Sequence, residues 1–423
     1  MRVRSGDRLT DRVGIGVLTR SFPPALVDEV VASADRTERR SRLLPARMVV
    51  YYVIALALFA SDGYEEVMRR LVNGLAWTAR WRETWTVPSS PAISKARARL
   101  GPQVLAMLFD RVCVPVARSG TAGAFYRSWR VVAVDGTTLD APDEAGNTGR
   151  FGKPSAGASK GAFPQVRVVA AAECGTHAVF AAAMDGVGVS EQALLRRLLG
   201  KLGPGMLVIA DRNFLGFHLW ETVVATGADL LWRAKSDTRL PVDEELGDGS
   251  YRSHLVEPDT RGRGRQIPVR VIEYTLQAGE SEHPHHAGEV YRLVTTILDP
   301  DAAPAEDLAD LYAQRWEIES VFDEIKTHQQ GSRPVLRSRD PDGVAQEIWG
   351  ILLLHHAIRD LIHITATGAG IDPDRISFTR ALRATRRQVS DHGAGLSPLT
   401  TTPRRPQSGR RTAGTAQQAS PSA

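Results

Sequence analysis

The 423-residue sequence predicts an α/β protein: an all-helical N-terminal part, a mixed sheet flanked by helices, a β-rich insertion in that unit, and closing helices. Three observations carry this. Through about residue 125, apolar positions recur at helical spacing between proline and glycine breaks. From Arg130 the period changes to short apolar runs, the mark of strands covered on both faces. At Pro304 helical periodicity returns.

Taken in order, Phe22-Pro23-Pro24 opens an amphipathic helix to about residue 34, since proline is tolerated in a first turn whose N–H groups lack partners anyway. Residues 45–60 are strongly apolar, which marks a buried helix. Ser90-Pro91 reads as a cap and a first-turn proline for a helix carrying Lys95, Arg97 and Arg99; Gly101-Pro102 ends it and starts another. Two readings suit that pattern: a helix-turn-helix gripping DNA through those three cations, or a packed helix pair with a solvated basic face. Strands are expected at 131–135, ending at Asp135, and at 166–172, 177–183 and 206–210, the last ending at Asp211. Helices are expected at 191–202 and near 219–226. Residues 230–300 are strand-rich. One long helix should run from Pro304 to about 328, with Glu306 and Asp307 favourable to its dipole, and others at 344–363 and 377–389. Beyond Gly393 the composition predicts a disordered tail.

Composition excludes several classes. The two cysteines, Cys113 and Cys174, are too few for a disulfide scaffold or a thiolate metal site, and suit a reducing cytosol. The longest apolar run, 48–60, is short of the roughly 20 residues a membrane span needs. The net charge of +5 is a cancellation. Residues 1–130 hold 21 basic against 11 acidic side chains, the last 28 residues hold four arginines and no acid, and the middle is acidic. A basic front suits a polyanion such as DNA. An acidic middle would repel it unless its carboxylates hold cations.

Candidates for that task stand after two apolar strands: Asp135-Gly136-Thr137 and Asp211-Arg212-Asn213. A carboxylate there costs desolvation unless a cation offsets it, although capping the following turn explains either aspartate alone. On the long helix, at about 100° per residue, Tyr312, Arg315, Glu319 and Lys326 fall within an arc of about 60°, while Glu317 and Glu324 point elsewhere. Asp323 is the one competing carboxylate on that face, and a solvated salt-bridge ladder is the alternative reading. That stripe makes a poor core face.

Tyr312-x2-Arg315-x3-Glu319-x6-Lys326 matches the Tyr-Arg-Glu-Lys signature of bacterial insertion-element transposases, and the chain resembles the insertion-sequence-four family of DDE transposases over about residues 8–390. Asp135-Gly136-Thr137 and Asp211-Arg212-Asn213-Phe214 resemble its first and second acidic motifs. The resemblance implies an RNase H-like mixed sheet flanked by helices, in which Asp135, Asp211 and Glu319 hold two Mg²⁺ ions, with Mn²⁺ as a substitute. It implies metal-dependent cleavage and strand transfer at terminal inverted repeats, with Tyr312, Arg315 and Lys326 on phosphates. Arg212 is a further candidate for DNA contact; Trp232 and Trp316 are candidates for stacking on a flipped base, or core residues. The expected domains are a helical DNA-binding domain (1–125), a catalytic domain (126–340, with its β-rich insertion at about 230–300), C-terminal helices (341–392) and a basic tail (393–423). The implied partners are transposon-end and target duplex DNA and, on DNA, a second copy of the chain, within the bacterial cytoplasm and nucleoid. No membrane or nucleotide partner is expected. The rival readings are another two-metal nuclease of the same fold and a lapsed transposase that only binds DNA.

Three motifs look like decoys. His283, His285 and His286 lack a partner with metal-ligand spacing, and Gly157 to Gly161 lacks the phosphate-loop order. His355 and His356 sit in an apolar run and read as packed, hydrogen-bonded residues. The 261–265 Arg-Gly turn is either a phosphate contact or a solvated hairpin.

Overall fold

The computed structural model describes residues 15–38, 43–73, 87–156, 159–258, 264–275, 290–331 and 335–390. The expected tail, the histidines at 283–286, residues 157–158 and most of the Arg-Gly turn lie outside them.

The front is helical: a 3-10 turn (Gly16–Arg20), α1 (Pro24–Ser33), α2 (Ala46–Leu58), α3 (Tyr64–Asn73), α4 (Ser90–Leu100) and α5 (Gln103–Val112). Every residue of α2 except Arg47 is buried, as a helix without a polar face must be. The chain then forms β1 (Phe125–Tyr126), β2 (Trp129–Asp140), α6 (Ala145–Phe151), a small ribbon of β3 (Ser155–Ala156) and β4 (Ser159–Lys160), β5 (Gln165–Glu173) and β6 (Ala178–Gly186). Next come α7 (Glu191–Leu195), β7 (Met206–Ala210), α8 (Phe217–Val224) and β8 (Asp229–Arg233). The expected β-rich stretch supplies β9 (Glu244–Glu245), β10 (Tyr251–Val256), β11 (Gln266–Thr275) and β12 (Val290–Thr295). Helices α9 (Ala305–Tyr312), α10 (Trp316–Asp323), α11 (Pro341–Ala369) and α12 (Phe378–Ser390) close the described chain.

The sheet runs β6-β5-β2-β7-β8-β12-β11-β10-β9. Its first three strands pair antiparallel in succession, and β7 and β8 add parallel to β2. That is the RNase H-like arrangement. Strands β9–β12 extend the same sheet through the antiparallel β8–β12 pair. Apolar residues alternate between its faces: Val131 and Ala133 join a core shared with the front helices, α10 and α11, and Val132 and Val134 join one with α7 and α8.

Two expectations need correction. Strand β2 does not end at Asp135; residues 136–140 continue the ladder to β5, so the aspartate sits mid-strand. The helix from Pro304 runs without a gap to Gln329, but it is not a uniform α-helix either. A 3-10 turn (Ala313–Arg315) separates α9 from α10, and a π turn (Glu324–Gln329) follows α10.

Candidate active site

Parity along β2 puts Asp135 on the same sheet face as Val131 and Ala133, beneath α9 and α10. Its Oδ1 accepts from the Gly136 amide at 2.7 Å. Asp211 follows the adjacent parallel strand β7 and accepts from the Asn213 amide at 2.8 Å, so it is at once turn cap and carboxylate. Glu319 lies on α10 with its side chain 45% exposed. Arg315 links the sheet to the helix: its Nη1 stands 3.1 Å from Glu319 and 3.6 Å from Asp135. Burial, reinforced by Asp211 and Glu191 and opposed by the Gly136 amide and Arg315, pushes the Asp135 carboxyl up to about 6. Partial burial is thus the main cause, and the two neighbouring acids add to it.

Glu191 was not anticipated. It opens α7, whose N-cap Ser190 accepts from the Ala193 amide at 3.2 Å, and its carboxylate lies over Gly136. A Cβ at position 136 would come within 2.7 Å of the Glu191 Cδ, so the glycine of the first acidic motif makes room for a fourth acid. Only the requirement for glycine after Asp135 signalled this in the sequence. Among the described residues, no three Asp, Glu, His or Cys side chains form a ready-made metal cage.

Behind α10, Glu317 and Glu324 point away from Glu319, as the helical wheel required. Glu317 accepts from the Gly175 amide and stands 3.6 Å from His177. Glu324 accepts from Arg359 Nε at 2.9 Å and pairs with His355 at 3.0 Å. Burial raises the Glu324 carboxyl, but Arg359, His177 and His355 outweigh it and hold the group well below the usual carboxylate range. This polar anchor fixes one side of the helix and leaves Glu319 on the other.

Several expected DNA contacts are corrected. Tyr312 is 3% exposed, and its hydroxyl donates to the Ala210 carbonyl at 3.2 Å; it braces the end of β7 and does not face solvent. Arg315 is buried against carboxylates, not open to phosphate. Arg97 is also buried, bonding Gln346 and Ser338 at 3.0 Å, the Gly343 carbonyl at 2.9 Å and the Tyr64 hydroxyl at 2.8 Å. It ties α4 to α11, which removes it from a DNA-facing stripe. Lys95 and Arg99 are exposed, the latter 4.0 Å from Glu38. Trp232 is fully buried, edge-on to Trp220 at 5.3 Å, so it is core and not a base platform. Trp316 is 38% exposed beside Glu319, with the Arg315 guanidinium 4.3 Å above its ring. Arg212 and Lys326 are exposed; the π turn brings Lys326 toward Asp140. Arg265, from the Arg-Gly turn, is paired with Glu221 and Glu257.

With this geometry in view, the comparisons are direct. The family described as "Transposase DDE domain" matches residues 128–356, and "Insertion element 4 transposase N-terminal" matches residues 12–110. The chain is 27% identical over 366 residues to the transposase InsG for insertion sequence element IS4 of Escherichia coli (strain K12), covering 85% of this chain and 79% of the relative. It is 23% identical over 201 residues to the putative transposase InsZ of the same organism, covering 47% and 64%. Among solved structures, the piggyBac transposase synaptic complex with hairpin DNA aligns at a TM-score of 0.47 and 10% identity, over 88% of this chain and 79% of that one.

Proposed function

The chain belongs to the insertion-element-4 family of DDE transposases, and from that membership we propose that Asp135, Asp211 and Glu319 form the centre with which it cuts and joins phosphodiesters at the ends of its own insertion sequence. It is an insertion-sequence transposase, a DNA-binding enzyme that depends on divalent metal. The observation that carries the residue assignment is the Asp135–Arg315–Glu319 bridge between β2 and the catalytic helix, with Asp211 on the neighbouring strand.

The donor set fits Mg²⁺. All the candidate ligands are hard carboxylate oxygens, and the Asp135 carboxyl, raised chiefly by burial and further by Asp211 and Glu191, is one that a bound cation would hold in its charged form. Asp135, Asp211 and Glu319 would hold two such ions, with Mn²⁺ as a substitute. When bound, the metal supplies an activated attacking oxygen and stabilises the leaving one. The chain's own groups do the positioning. Arg315 holds Glu319 toward the sheet, and Tyr312 fixes the end of β7 from which Asp211 projects. Trp316 offers an exposed ring for a displaced base, and Arg212, Lys326 and Lys95 offer cations to phosphates of the transposon end and target duplex. Pairing of two chains on two ends, in the bacterial cytoplasm at the nucleoid, completes the proposal.

The test is cleavage and strand transfer on DNA carrying the element's terminal repeats, with Mg²⁺. Asp135→Ala, Asp211→Ala and Glu319→Ala should each lower the rate roughly 10³-fold or more, the scale on which single transition-state partners act, while duplex binding persists. Normal cutting by Glu319→Ala would refute the assignment. The mass of the protein–DNA complex reads the pairing.

A further inference from the structure

We propose that α12 is a second phosphate-binding surface, a ridge of three arginines that lies along the backbone of duplex DNA. The proposal rests on the transposase reading for its partner and adds a surface beyond the residues that either family matches.

The helix FTRALRATRRQVS holds four arginines and no acid. Its apolar face, with Phe378, Ala381, Leu382 and Val389, is buried in the core shared with the front helices and α11. Arg380, Arg383 and Arg387 are exposed, and at about 100° per residue they fall within an arc of about 60° opposite that face. The fourth, Arg386, is tied down instead, donating to the Leu58 carbonyl at 2.7 Å.

A basic helix face is often merely solvated, and the rest of this molecule shows what that looks like. Several exposed arginines on other elements face acids: Arg69 pairs with Glu66 at 3.1 Å, Arg111 with Glu29 at 2.7 Å and Arg197 with Asp185 at 2.8 Å. Arg380, Arg383 and Arg387 pair with no acid among the described residues. Arg383 also brings positive charge toward Arg386, where burial and Arg70 act in the same direction and Asp62 opposes them. Such crowding of like charge is relieved by an anion.

The spacing fits one. Arg380 to Arg387 spans about 10 Å of helix axis at 1.5 Å per residue, long enough to pass several charges of a duplex that carries one per about 1.7 Å of its axis. An anionic membrane is the poorer partner, because an interfacial helix must offer its apolar face and that of α12 is already buried. Helix α12 also adjoins the element that carries Glu319. It packs on the π turn that follows α10 and carries Lys326, with Arg386 Nη2 at 3.5 Å from the Gln329 carbonyl. DNA leaving the active site past Lys326 would meet α12 next.

The experiment measures binding of the full chain to a duplex of arbitrary sequence, in chelator so that no cleavage occurs, across a series of salt concentrations. Replacing all three arginines with glutamine should flatten the slope of log affinity against log salt by about 2–3, at roughly 0.9 for each phosphate no longer neutralised. The triple lysine variant should restore it, since a point charge suffices for phosphate. Arg383→Glu alone should flatten it by about 0.9 or more, which keeps the test alive if the triple variant folds poorly. A steep wild-type slope that the glutamine variant reproduces would return α12 to a solvated face and leave the transposase reading intact. A wild-type chain that binds no duplex would overturn both. Binding to phosphatidylglycerol vesicles in preference to duplex would overturn the choice of partner.

Discussion

At the scale of single residues, Asp135 shows how a site is tuned by its surroundings. A carboxylate on the buried stretch of a strand must be paired, hydrated or protonated. Here Arg315 pairs it from one side, while Asp211 and Glu191 add negative charge from the other. In metal-free protein its carboxyl should titrate near pH 6, and Arg315→Gln should move that midpoint upward; carboxyl NMR across the titration reads both, and an unmoved midpoint would mean the guanidinium acts elsewhere. Gly136→Ala tests the fourth acid. Its new Cβ meets the flexible end of Glu191, so the variant should fold with a stability change of about 1 kcal/mol or less. Glu191 must turn away, however, and Mg²⁺ affinity measured by calorimetry should fall. Glu324 behaves differently, because its neighbours have no water to turn to. Glu324→Gln leaves Arg359 and two histidines around a neutral group, and should cost about 3–5 kcal/mol in a denaturant melt.

At the scale of elements, α10 is held from behind and exposed in front. Periodicity foretold its two faces, because Arg315 and Glu319 are four residues apart and any local helix makes them neighbours. It did not foretell the breaks. Helix geometry is maintained by local hydrogen bonds, but whether a turn tightens or widens depends on what packs against it, and here Glu324 is drawn to Arg359 and His355 on α11. The π turn that follows carries Lys326. Helix α11 itself crosses α2 where Gly350 lies 3.0 Å, measured from an added Cβ, from the Val53 carbonyl oxygen. Gly350→Val should therefore force the helices apart and cost about 1–3 kcal/mol, the usual penalty of overpacking. A melt equal to wild type would show the crossing to be loose.

At the scale of the whole molecule, one core joins the front helices, α11 and a face of the sheet, and its buried histidines link stability to pH. His356 is 3% exposed and donates from Nδ1 to the Val179 carbonyl at 2.9 Å. Burial, only partly offset by that bond, lowers it to about 4. A depressed histidine contributes stability that is present above its unfolded value of about 6.5 and lost as pH falls toward 4. Unfolding free energy should drop by up to about 3 kcal/mol across that window from this residue. His355 and His363 are depressed too and add to the slope. His356→Gln should flatten it; an unchanged slope would assign the loss to the other two.

Chain order and local pattern were enough to find the strands, the buried helix α2, the three candidate acids and the family signature, because burial and helix spacing act over a few neighbouring residues. The tertiary structure decided which charged residues face solvent. Arg97 and Lys95 look alike in sequence, as do Tyr312 and Trp316, yet the first of each pair is enclosed by groups distant in the chain: Gln346 and Gly343 for Arg97, Ala210 for Tyr312. Contacts of that kind leave no local period to read, and the same holds for the approach of Glu191 to Gly136. The sequence therefore named the chemistry of the site, and the long-range packing settled which side chains are free to perform it.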